Sequence, residues 1–173
     1  YLGGYVRLGT QFATEDYRLA MDAFRTGATA PFQGRSHDFT KAVAEGIAGN
    51  ENKFAELMTK RARELGLTKA TFGNSTGLPN PNQLMTVREL AKLSRHIVHT
   101  YPKYYSYYAE REYTFNKIRQ YNRNPLLAMN IGADGLNTGF TQEAGYGLVG
   151  SAVQNGLRLI VVVSGLKSEK ERS

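Results

Sequence analysis

The sequence predicts an α/β chain of the α+β type, with an antiparallel sheet flanked by helices. Helix-like periodicity runs up to about residue 100, strand-like alternation takes over after about residue 112, and Asn155-Gly156 separates two apolar runs. Helices segregated from strands along the chain argue for this class rather than for alternating strand–helix–strand units.

Each element has its own signal. Residues 5–8 read as a short strand, and 15–24 have helical composition, with Asp16 near the start where an acid suits the helix dipole. Residues 26–34 hold Gly27, Pro31 and Gly34 and read as loop. A helix over 39–48 is ended by Gly49, and a second over 52–65 by Gly66; Phe54, Leu57, Met58 and Leu65 share a face of the second. Residues 74–81 carry turn chemistry, with Gly77, Pro79 and Pro81. Thr86-Val87-Arg88-Glu89 is a capping-box pattern, in which the Thr hydroxyl and the Glu carboxylate satisfy free amides at a helix start. It opens a helix with the stripe Leu90, Leu93, Ile97 and Val98. Residues 112–116 alternate like a strand. The runs 146–154 and 157–163 form a hairpin, because Asn-Gly suits a type I′ turn whose two central residues need positive φ. Ser168-Glu169-Lys170-Glu171 starts a last helix. The chain opens abruptly at Tyr1 and stops in a charged run, as if both ends were cut from something longer.

Composition limits the function. The 173 residues suffice for one domain with a core. The net charge of +7 would suit nucleic acid, an anionic membrane surface or an acidic polymer. The basic residues are scattered, however, and Lys60-Arg61-Arg63 lies among Glu56 and Glu64 as a solvated helix face. Basic residues mix with tyrosines over 101–121, a composition found in nucleic-acid binders, but the segment reads as tyrosine-rich packing and no nucleic-acid partner is expected. No cysteine is present, which excludes disulfides and cysteine-based zinc sites. His96 and His99 stand three apart on a helix without an acid or third His at ligand spacing, so no metal is expected. No apolar run reaches the roughly 20 residues of a membrane helix, and no signal peptide opens the chain. Gly132, Gly135 and Gly139 are spaced for turns and do not form a dinucleotide-binding loop.

Several ordered motifs extend from Ala42 onward. Ala44-Glu45-Gly46-Ile47-Ala48-Gly49 is followed by Glu51 and Phe54, and Arg63-Glu64-Leu65-Gly66-Leu67 by Thr71-Phe72. Then come Asn74-Ser75-Thr76-Gly77-Leu78-Pro79, Tyr113-Thr114-Phe115-Asn116 and Asn122-Arg123-Asn124 with Leu126-Leu127. Asp134-Gly135-Leu136-Asn137-Thr138-Gly139-Phe140-Thr141, with Ala144-Gly145-Tyr146, completes the series. Together they resemble the D-alanyl-D-alanine carboxypeptidases, serine peptidases among the penicillin-binding proteins of the transpeptidase-like superfamily. Gly3-Gly4 and residues 5–10 resemble a shortened form of an upstream segment of that family.

The resemblance implies a transpeptidase-like or β-lactamase-like fold, incomplete at both ends, with residues 1–173 forming a single partial domain and the C-terminal β domain absent. It implies removal of the terminal D-Ala from peptidoglycan stem peptides through an acyl-enzyme, with no cofactor. It implies β-lactams as ligands, a periplasmic or cell-envelope location, and peripheral membrane association of the full-length protein. The family's chemistry uses a Ser-x-x-Lys pair for nucleophile and base, a Ser-x-Asn loop and a Lys-Thr-Gly strand. The only Ser-x-x-Lys here is Ser164-Gly165-Leu166-Lys167, at the end of the last strand, where the family has a similar non-catalytic sequence. The family's pair would precede Tyr1. No Ser-x-Asn occurs; Ser36 either stands for its serine or is an exposed loop serine. Lys-Thr-Gly is present as Asn137-Thr138-Gly139, in which Asn137 donates hydrogen bonds but carries no charge. The resemblance assigns Asn137, Thr138 and Gly139, with Ser36 if it is the Ser-x-Asn serine, to the catalytic groups, Thr138 also helping to hold the substrate; it gives Thr141 to substrate binding and the Phe140 backbone N–H to the oxyanion hole. It places Arg123 near the substrate carboxylate, although a purely structural arginine is an equal reading. The chain as written is therefore expected to be inactive alone. The alternative function is a non-catalytic module that binds peptidoglycan or a protein partner in the cell envelope.

Overall fold

The computed structural model describes residues 36–115 and 117–173. The expected strand at 5–8, helix at 15–24 and loop at 26–34 lie outside the described residues, as does Asn116. The chain divides into two compact units, one ending at Met85 and the other spanning Thr86–Ser173.

The first unit holds helices α1 (Ser36–Ala48) and α2 (Glu51–Glu64), which pack on each other. Asn50 caps α2 by accepting from the Lys53 amide at 2.9 Å. Phe54, Ala55, Met58 and Ala62 are buried along α2. Leu57, expected on that stripe, is 38% exposed, because the small Ala55 and Ala62 complete the inward face instead. Phe54 and Met58 form a core with Ala44, and Ile47, Ala48 and Phe72 pack against it. Burying a side chain such as Phe54 is worth about 1.5–3 kcal/mol. Arg63, expected on a solvated face, donates to the carbonyls of Leu67 and Ala70 and so holds the chain that leaves α2. The loop that follows is fixed by Asn74, whose Oδ1 accepts from Gly77 N at 2.8 Å, and by Ser75, whose hydroxyl donates to Glu51 at 2.9 Å.

The second unit opens with α3 (Val87–Thr100), and the Thr86–Glu89 capping box is formed as expected. Leu93, Ile97 and Val98 are buried, and Leu90 is half-buried. A one-turn helix, α4 (Pro102–Tyr105), and a 3-10 turn (Ser106–Ala109) follow. Tyr105 and Tyr108 are buried, as tyrosine packing requires, whereas Tyr104, Tyr107 and Tyr121 are exposed. Strands β1 (Glu112–Phe115) and β2 (Ile118–Tyr121) form a small hairpin, braced by Arg119 on Glu112 and over the Tyr121 ring. A second 3-10 turn (Pro125–Ala128) leads into β3 (Ala133–Thr141), β4 (Gly145–Gln154) and β5 (Leu157–Leu166).

These last three strands make an antiparallel sheet in the order β3-β4-β5, with α3 packed against β5 and β4. Asn155 and Gly156 both have positive φ, at 51° and 77°, and join β4 to β5 as the expected tight turn. Gly135 and Gly139, whose spacing alone reads as turns, lie inside β3, which holds 137–139 on a strand as the resemblance implies; Gly132 is at a turn, with φ 73°. Their spacing broke the apolar alternation that reveals a strand, while pairing with β4 supplies the backbone hydrogen bonds. Ser168 caps a final short helix, α5 (Glu169–Arg172), which packs on β4 and β5.

Candidate functional site

Most of the residues expected to carry function fall on one strand. Asn137, Thr138, Gly139, Phe140 and Thr141 are consecutive on β3. Among the described residues β3 is an edge strand, paired with β4 on one side only. Thr138 pairs with Leu148 and is half-buried, so it does not disappear into a packed core. The Asn137 side chain turns back on its own strand, and its Oδ1 accepts from Thr138 N at 2.9 Å. It contributes a neutral amide where a lysine would contribute a cation. Phe140 is 55% exposed and packs on Tyr146 across the hairpin, with ring centroids 4.4 Å apart. Thr141 serves the turn: its Oγ1 accepts from Ala144 N at 3.0 Å.

Arg123 lies in the loop after β2 and is exposed. That loop is tied to the strand by its neighbours. Asn122 accepts from the Asn124 amide at 3.0 Å and donates to Glu110 O at 2.9 Å, while the buried Asn124 donates to Gly135 O at 2.8 Å. Arg123 and β3 therefore share a support. Ser36 begins α1, in the other unit. Ser164 lies on β5 with its hydroxyl 3.4 Å from Ala144 O. Its Ser-x-x-Lys spacing thus falls on a strand and the turn after it, not on a helix where one turn would align the two side chains. His96 faces Thr100 Oγ1 at 3.2 Å and the edge of Tyr101, and no group of three potential metal ligands occurs among the described residues.

Two features were not anticipated. The first is a polar cluster at the start of β3. Arg158 Nη2 donates to Asp134 Oδ2 at 2.8 Å and Nη1 to Oδ1 at 2.9 Å, a two-pronged fork. Arg158 Nη1 also reaches Ser151 Oγ at 2.6 Å, and Tyr105 donates its hydroxyl proton to Asp134 Oδ1 at 2.7 Å. Burial raises the Tyr105 pKa far above the ordinary phenol value, so Tyr105 remains a donor. Burial also works to raise the Asp134 pKa, but hydrogen bonds from Arg158 and Tyr105 and the Arg158 charge outweigh it and hold the carboxyl below its usual range. The hydrogen bonds to Asp134 in turn raise Arg158. The second feature is Arg172 on α5. Its side chain is 7% exposed, its Nη2 bonds Glu169 at 3.1 Å, and its guanidinium lies 5.7 Å from the centre of the Tyr146 ring. Its Nε has no hydrogen-bond partner among the described residues. In the sequence it is one residue of the charged run in which the chain stops.

Comparison with known proteins agrees with this geometry. Residues 36–168 match the D-alanyl-D-alanine carboxypeptidase family. The chain is 45% identical over 137 residues to D-alanyl-D-alanine carboxypeptidase DacC of Escherichia coli, covering 79% of this chain and 34% of that protein. Penicillin binding protein 5 from Haemophilus influenzae superposes with a TM-score of 0.75 at 43% identity, covering 79% of this chain and 40% of that one. Penicillin-Binding Protein D2 from Listeria monocytogenes, solved in an ampicillin-bound form, superposes with a TM-score of 0.71 at 29% identity, covering 79% of this chain and 57% of that one. The chain thus spans little more than a third of the length of the curated relatives it matches. A match over residues 36–168, with the edge strand and its Asn-Thr-Gly inside it, makes this chain a member of the D-alanyl-D-alanine carboxypeptidase family, whose enzymes are serine peptidases.

Proposed function

We propose that this chain supplies the substrate-holding edge of a D-alanyl-D-alanine carboxypeptidase site, and that by itself it holds peptide termini without cleaving them. The observation that carries the reading is the Asn137-Thr138-Gly139 segment on a strand that, among the described residues, has a partner on one side only. An edge strand offers backbone donors and acceptors to an extended peptide, and side chains beside it select the terminus. The ligand is a peptidoglycan stem peptide ending in D-Ala-D-Ala, and a β-lactam is the corresponding small-molecule probe. Thr138 supplies a hydroxyl and Phe140 a backbone N–H. Arg123, which is exposed, supplies the cation for the terminal carboxylate. Residues 1–173 are read as part of one such domain, working at the cell envelope in a longer protein that associates peripherally with the membrane.

Turnover by this chain is not part of the proposal. The sequence offers no Ser-x-x-Lys outside Ser164–Lys167 and no Ser-x-Asn, and Asn137 has no amine with which to assist proton transfer. Removing the nucleophile of a serine-enzyme site costs about six orders of magnitude in rate, as subtilisin illustrates. The test is labelling with a fluorescent penicillin, read by intact mass. The expected result is no covalent adduct, together with weak, reversible shifts of β3 resonances in the presence of the drug. A stoichiometric acyl adduct would show a nucleophile in this chain and overturn the binding-only reading. Absence of both adduct and shifts would overturn the assignment of the edge.

A further inference from the structure

We propose that Arg158 is a positioning residue for the Asn137-Thr138-Gly139 edge: from the far strand of the sheet it sets the place of β3 without itself meeting a ligand. The proposal deepens the function given above and rests on it for what the edge binds.

Arg158 lies on β5 opposite Val153 of β4, and Ser151 projects from the same face two residues before Val153. The guanidinium therefore reaches across β4 to Asp134 on β3, linking all three strands by side chains where β3 begins. Tyr105, from the helical segment after α3, closes the cluster. Its hydroxyl donates to Asp134, and its ring lies 5.1 Å from the Arg158 guanidinium.

Gly135 makes the closure possible. A Cβ at that position would lie 2.7 Å from the Tyr105 hydroxyl oxygen, so any side chain there would push Tyr105 off Asp134. The carbonyl of the same glycine accepts from Asn124, the neighbour of Arg123. Arg158 and Asp134 thus hold the point at which the Arg123 loop and the binding edge are joined, three residues before Thr138.

Chemistry explains why an arginine does this. Its planar fork satisfies both carboxylate oxygens at once and still reaches Ser151, which is 2% exposed. A lysine would hold the charge but one geometry fewer. The bracing is directional, and it should act mostly on β3, because β4 and β5 are also joined by a tight hairpin with its own register.

Amide hydrogen exchange of the 173-residue chain, followed by NMR, tests this without any ligand. Arg158→Met keeps the apolar stem and removes the fork. Amides of residues 136–140 should exchange about tenfold faster relative to those of residues 148–150 and 160–162, the expected signature of local opening. Arg158→Lys should recover part of the loss. Uniform acceleration of all three strands would reduce Arg158 to a general stabiliser and overturn the proposal, as would unchanged rates over 136–140. Should Arg158→Met fail to fold, Tyr105→Phe removes a single hydroxyl and keeps the ring; a smaller acceleration confined to 136–140 is expected, and unchanged rates there overturn the proposal. A local effect in a chain that binds no peptide would leave the positioning role standing and remove only the binding assignment.

Discussion

The two ends of β3 are built differently. Its start is held from outside the strand, by Arg158, Tyr105 and Asn124 acting on Asp134 and Gly135. Its later half holds itself: Asn137 bonds the next amide, Thr141 bonds the turn, and Phe140 leans on Tyr146 across the hairpin. The contrast teaches a division of labour. The later half bonds only to its near neighbours and across the hairpin, so the restraint from outside the strand falls a few residues upstream, clear of the proposed binding edge.

The comparison can be broken most forcefully at Asp134. Asp134→Asn should lower stability by about 2–3 kcal/mol, the size expected for losing charge-assisted hydrogen bonds in a partly buried site; urea unfolding reads this directly. A related effect appears with acid. The Asp134 pKa is lower in the folded chain, so its contribution is fully present above the unfolded carboxyl value of about 3.9 and is lost as pH falls through the folded value. The urea midpoint of the wild type should therefore drop more steeply below about pH 4 than that of Asp134→Asn. At the other end of the strand, Phe140→Ala should cost about 1 kcal/mol, the scale of one exposed aromatic pair. Thr138→Val should shift stability by no more than about 0.5 kcal/mol, as a half-buried edge substitution does, while weakening peptide binding about tenfold. A large loss of stability on Thr138→Val would make the two ends alike and remove the contrast.

What could be read in the sequence follows the same division between local and distant causes. The capping box at Thr86–Glu89, the Gly49 and Gly66 stops and the Asn155-Gly156 turn were legible because each is fixed by neighbours in the chain. Strand β3 was not legible from alternation, since Gly135 and Gly139 interrupt it; the ordered motif from Asp134 to Thr141 located the edge instead. Arg63 was misread because its acceptors, Leu67 and Ala70, come within reach only when the chain folds back after α2. The Asp134 cluster was invisible because its partners Tyr105 and Arg158 lie 29 and 24 residues away and none has a distinctive local pattern. Arg172 was missed because its guanidinium meets Tyr146, which lies on β4 and far from it in the chain.

The central claim is that the edge at Asn137-Thr138-Gly139 holds the end of a peptide and leaves it intact. Titration of the isotope-labelled chain with an N-blocked Lys-D-Ala-D-Ala peptide tests it most directly, with free D-Ala assayed in the same tube. The account predicts saturable shifts at Thr138, Gly139 and Phe140 and no release of D-Ala. Shifts confined to other parts of the chain, or D-Ala released at an enzymatic rate, would contradict it.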